Sequence, residues 1–123
     1  MDDVILSKLS DKQLPKKYQY DLASYREWIN KEINLNEDWL EEAEYMSFAR
    51  GELHKIVEEF RHRSLKNDFS ELQALDKRWQ TWILNHSDPD FKLEHPRERM
   101  PKSRWWEWVD ELGTLTDEQR KTL

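Results

Sequence analysis

Apolar residues recur at helical spacing in four stretches of this chain, and the longest, 36–64, sets the frame for the others. At 100° per residue it gathers Trp39, Ala43, Met46, Ala49, Leu53, Ile56, Val57 and Phe60 on one broad face, with Glu37, Glu41, Glu44, Lys55, Glu58 and Glu59 opposite. Its ends follow the helix dipole. Glu37, Asp38, Glu41 and Glu42 crowd the first turns, and Arg61, His62 and Arg63 the last. This reads as a long central helix with a core stripe and a wet face.

Upstream, Tyr18, Leu22, Tyr25, Ile29 and Ile33 predict a helix over 16–34, with Trp28 on the edge of its stripe. Asn34 with Glu37, or Asn36, would cap the central helix. Residues 1–16 reach Leu14-Pro15, where proline pushes the preceding residue out of the helical region, so they predict one short helix and a linker. Downstream, Asp68 and Glu71 have capping-box spacing ahead of the stripe Leu72, Leu75, Trp79, Trp82, Ile83 and His86. The three prolines in 87–102 predict a crossing loop. Ser103 then caps a short helix with Trp105, Trp108, Val109 and Leu112 on one face and Gly113 at its end. Thr116 and Gln119 have the spacing to cap a last turn.

The expected fold is all-α: an up-down-up three-helix core around one long central helix, with short N- and C-terminal helical segments packed on its ends. At 1.5 Å per residue the three main helices are about 28, 42 and 25 Å long, so neither neighbour covers the whole central helix. Residues 1–14 are assigned to Val57 and Phe60, and residues 91–112 to Trp39 and Met46. A single domain over 1–123 follows: a cover segment 1–15, a core 16–87, a loop and Trp-rich helix 88–112, and a tail 113–123.

Composition changes this picture in one respect. Charged residues make up 37% of the chain, against a usual ~25%, which raises the question of disorder. Seven Trp, four Tyr and four Phe answer it, since each buries on the order of 150–250 Å². The net charge of −6 is concentrated in 36–64, with 8 acids against 4 bases, and in 105–123, with 5 against 2. No block is basic enough for a phosphate-binding footprint, which argues against nucleic acid as partner. The absence of cysteine excludes disulfides, thiol catalysis and Cys-based zinc sites. There is neither a signal-peptide pattern nor an apolar run of about 18 residues, so a soluble cytoplasmic protein without a membrane span is expected.

Candidate chemistry is sparse. Glu59 and His62 have the Glu-x-x-His spacing of di-iron bundles, but no second copy exists and both fall on the wet face. No metal or other cofactor is expected. His54 and Glu58, four apart, read as a helical pair. Arg50 is more informative: it interrupts the apolar stripe between Met46 and Leu53, where an unpaired charge would cost several kcal/mol. A carboxylate on another helix is its expected partner, and a ligand anchor the alternative. His86 lies on its helix's stripe and reads as a core or capping histidine.

With no nucleophile elbow, phosphate loop or dinucleotide fingerprint, binding is expected rather than catalysis. The reading is a small acidic helical protein acting by protein–protein interaction, as an adaptor, inhibitor or immunity-like binder of a basic partner. Its surface would be the face carrying Glu37, Glu41, Glu44, Glu52, Glu58 and Glu59, with Trp106 as an exposed anchor. Homo-oligomerisation is left open. The alternative is a small-molecule-binding or enzymatic bundle with a polar site around Arg50, His54 and His86.

Overall fold

The computed structural model describes residues 5–35, 39–85, 92–93 and 97–121, without the side chains of 32–35 and 39–41. Every regular element among the described residues is helical: α1 (Gln13–Leu35), α2 (Trp39–His62) and α3 (Ser70–Asn85), with a 3₁₀ turn at Leu6–Lys8 and a 3₁₀ helix at Trp105–Thr114. None of these helices is long and apolar enough to cross a membrane. His86 and Glu37 lie outside the described residues, as do the caps expected from Asn36 and from Asn34 with Glu37.

Helix α1 starts earlier than the proline suggests. Ser10 and Gln13 close a reciprocal capping box, Ser10 N–H donating to Gln13 Oε1 at 2.8 Å and Gln13 N–H donating to Ser10 Oγ at 3.1 Å. The cap outweighs the single N–H that Pro15 removes, so the expected linker up to residue 16 is helix instead. Helix α2 ends in a Schellman motif. Leu65 N–H donates to the Phe60 carbonyl and Ser64 N–H to that of Arg61, with Ser64 in the left-handed region at φ 53°. Ahead of α3, Asp68 Oδ1 accepts the Ser70 N–H at 2.9 Å, while Glu71 turns to Arg26 of α1. The box expected between Asp68 and Glu71 is therefore replaced by a tighter turn.

Aromatic rings hold the core. Tyr18, Phe60 and Phe69 meet edge to face at one end, and Tyr25, Trp79 and Trp105 form a similar chain in the middle. Helix α1 packs along α2 and against α3, and the C-terminal 3₁₀ helix lies against both α2 and α3. Helices α2 and α3, expected to run side by side, are not among the closely packed pairs. The Trp-rich segment meets the middle of α2 beside the buried Met46, where Ser47 Oγ donates to the Trp106 carbonyl at 2.7 Å; the cover expected over Trp39 lies outside the described side chains.

Two ion-pair clasps fasten the ends. Arg63 near the end of α2 donates to the Leu6 carbonyl and to carboxylates of Asp11 and Glu59. Arg97 grips Asp110 with both guanidinium nitrogens, lies 4.6 Å from the Trp108 ring, and leaves Asp110 to accept the Leu93 N–H as well. Burial works to raise the Asp110 carboxyl, but the bonds from Arg97 and Leu93 outweigh it and hold the group below its ordinary value.

Candidate functional site

Arg50 is 1% exposed and its carboxylate is Asp76 of α3, 0% exposed, with Nε 2.8 Å from Oδ1. Tyr25 OH donates to the same oxygen at 2.7 Å, so one carboxylate ties α1, α2 and α3 together. The guanidinium also stands 4.4 Å from the Trp106 ring and 5.9 Å from that of Trp105. Burial, followed by the Asp76 charge, pushes the Tyr25 hydroxyl well above its ordinary range; burial with Glu71 nearby pushes Tyr18 up to about 12. Neither phenol ionises near neutrality. Among the described residues Arg50 Nη1 has no hydrogen-bond partner, and neither do the buried Trp79 and Trp105 indole nitrogens or the Tyr18 hydroxyl.

The acidic face is largely answered from within. Glu52 accepts from Lys55 at 3.1 Å, Glu58 from Arg61 at 3.3 Å, and Glu59 from Arg63 at 3.1 Å. Glu44 is half-buried within electrostatic reach of Arg97. The side chains of Glu37 and Glu41 lie outside the described residues. Glu59 thus belongs to a clasp with Arg63, placed one turn below it.

Trp106 is corrected as well. It is 4% exposed rather than a surface anchor, because the segment runs as short 3₁₀ turns that break at Trp108 and Glu111, where the backbone leaves the helical region. With about three residues per turn, Trp106, Val109, Leu112 and Leu115 share one buried column, while Trp108, expected inside, is only half-buried. Among the described side chains of α2 the exposed large aromatics are Tyr45 and Phe48, at 63% and 69%, one turn apart on its outer side. Tyr45 stacks on Trp28 of α1 with ring centroids 5.8 Å apart.

Beside Phe48 a groove of ≈ 250 Å³ runs between α2 and the C-terminal 3₁₀ helix. Phe48, Met100 and Trp106 give it apolar walls, and His54, Lys55, Glu52, Arg104 and Glu107 complete its rim. His54 packs 5.0 Å from the Trp106 ring, with Nε2 4.0 Å from Glu58, and burial lowers its pKa despite that carboxylate. A wider groove of ≈ 770 Å³ lies between α3 and the C-terminal turn. Its lining is mostly polar, and of its cations Lys77, Arg120 and Lys121 the last two are met by Asp117 and Glu118. Among the described residues no group of three or more His, Asp or Glu side chains is arranged to hold a metal. Comparison with protein-family models, curated proteins and solved structures finds no match.

Of these features, Arg50 was marked by a charge breaking an apolar stripe. Asp76 breaks the Leu72, Leu75, Trp79 stripe in the same way, and that signal would have found it. Tyr45 and Phe48 were equally visible as aromatics left off the stripe of the central helix.

Proposed function

We propose that this chain acts by binding another protein through the outer side of α2, with Tyr45 and Phe48 as its anchors. The observation that carries the reading is their exposure as large aromatic side chains one turn apart on α2, with Phe48 also forming a wall of the groove beside it. Aromatic side chains are enriched in interface cores and among the residues whose truncation costs most. The net charge of −6 steers a basic partner toward the molecule, a long-range effect that survives the local pairing of Glu52, Glu58 and Glu59.

The site at Arg50 supports a ligand less well. Its one favourable observation is the set of donors without acceptors, but the charge is already matched by Asp76 and the surrounding space is filled by Trp79, Trp105 and Trp106. A pulldown with the unmodified chain and with Tyr45→Ser/Phe48→Ser tests the proposal. A protein retained by the first, shown to bind when purified, and weakened at least tenfold by the double substitution is the expected result. Equal binding by both chains would move the interface elsewhere.

A further inference from the structure

We propose that the groove between α2 and the C-terminal 3₁₀ helix receives the C-terminal residue of a partner polypeptide, with its apolar side chain inside and its free carboxylate on Arg104. This rests on the protein-binding reading above and names what the partner presents. At ≈ 250 Å³ the groove lies below the ~300–1,000 Å³ of typical small-molecule sites. It has room for one side chain rather than for a cofactor. Phe48, Met100 and Trp106 make that room apolar.

Gly51 helps to make the space. Its φ is not positive, so no backbone requirement calls for glycine. A Cβ there would stand 3.4 Å from Trp106 Nε1 and 3.9 Å from Glu107 Oε1, at the edge of ordinary contact. Glycine in a helix interior costs about 1 kcal/mol relative to alanine. What its missing methyl leaves is volume beside the Trp106 indole.

The charges around the rim place the carboxylate. Lys55 is answered by Glu52, and His54, faced by Glu58, is held toward its neutral form by burial. Arg104 differs: its side-chain hydrogen bond is to Met100 Sδ at 3.4 Å, and among the described residues it has no carboxylate within ion-pair distance. A guanidinium is the side chain best shaped to take a carboxylate through two parallel bonds. Glu52 and Glu107 on the same rim disfavour a second carboxylate anywhere but on the Arg104 side. A chain terminus satisfies all of this within one residue, since its carboxylate and side chain share one Cα. An internal segment would have to run on through a groove that is one residue long.

The test is an NMR titration of the full chain, read at the Gly51 amide and the Trp106 indole N–H. The probes are acetyl-Lys-Ser-Gly-Phe as free acid, the same peptide as C-terminal amide, and acetyl-Lys-Ser-Phe-Asp amide. Saturable shifts at both positions with the free acid are expected, about tenfold weaker binding of the amide, and no preference for the internal acid. Arg104→Gln should reduce the free acid to the affinity of the amide while leaving the amide unchanged, and Arg104→Lys should recover part of the loss. Unchanged signal dispersion in both variants excludes unfolding as the cause. Equal binding of acid and amide, preference for the Phe-Asp amide, or no shift with any peptide would each overturn the terminal-carboxylate site. If the peptides fail while Tyr45→Ser/Phe48→Ser still abolishes protein capture, only this inference falls and the α2 interface stands.

Discussion

Arg50 keeps its charge in the interior because Asp76 Oδ1 takes hydrogen bonds from both Arg50 and Tyr25. Removing one side of such a pair leaves an uncompensated buried charge, so Asp76→Ala should cost about 3–5 kcal/mol in urea unfolding. With Asp76 fully buried, Arg50→Met should be destabilising by a similar amount, whereas Arg50→Met/Asp76→Leu should recover most of the loss. A double variant as unstable as the sum of the singles would mean the pair is not what makes either residue necessary. The period of a helix showed that Arg50 faces inward, but period cannot say which residues of two stripes meet. His54 adds a pH dependence: its folded pKa lies below the 6.5 of the free side chain, chiefly through burial, so protonation favours the unfolded chain. The stability it contributes is complete above pH 6.5 and lost as pH falls through the lower folded value. His54→Gln should flatten that part of the stability profile, and an unchanged profile would assign the effect to other groups.

At the scale of elements, caps and winding decided where the sequence reading held. The capping box at Thr116 and Gln119 forms, with reciprocal bonds of 2.9 and 3.1 Å. The same spacing at Ser10 and Gln13 gives α1 its true start, a signal overshadowed by Pro15. The C-terminal segment departs from an α-helical wheel because it is built of short 3₁₀ turns interrupted at Trp108 and Glu111. Nothing local in the Trp-rich sequence announces that tighter winding; Trp106 turns inward where it meets Ser47, Arg50 and Gly51 of another helix. At the end of α2, Ser64 occupies a left-handed position that glycine adopts without strain. Ser64→Gly should therefore stabilise by up to about 1 kcal/mol in thermal unfolding, and a loss of stability would show that the serine side chain contributes more than its backbone strain costs. Trp105→Ala should cost about 3–5 kcal/mol, because Trp105 is fully buried between Trp79 and Trp106. A change near zero would make the C-terminal 3₁₀ helix an appendage.

Taken as a whole, the molecule turns its acidity outward as a diffuse field and keeps its recognition features local. Most glutamates on α2 have partners, so salt should slow association with a basic protein more than it speeds dissociation. The all-helical class was legible because four stripes share one period and glycine is scarce. The proposed binding surface was not, because exposure depends on which faces neighbouring elements leave uncovered, and the Trp segment meets the middle of α2 while leaving Tyr45 and Phe48 exposed. Gly51→Ala should raise stability by about 0.5–1 kcal/mol while narrowing the groove, so a gain in melting temperature joined to weaker binding would connect the two. The most direct measurement places a photo-crosslinking phenylalanine analogue at position 48 in cells, and in a control chain at Tyr20, which is exposed on α1. The account predicts a discrete protein adduct from position 48 that is absent from position 20 and lost when Tyr45→Ser is added. Adducts of equal yield from both positions, or none from position 48, would contradict it.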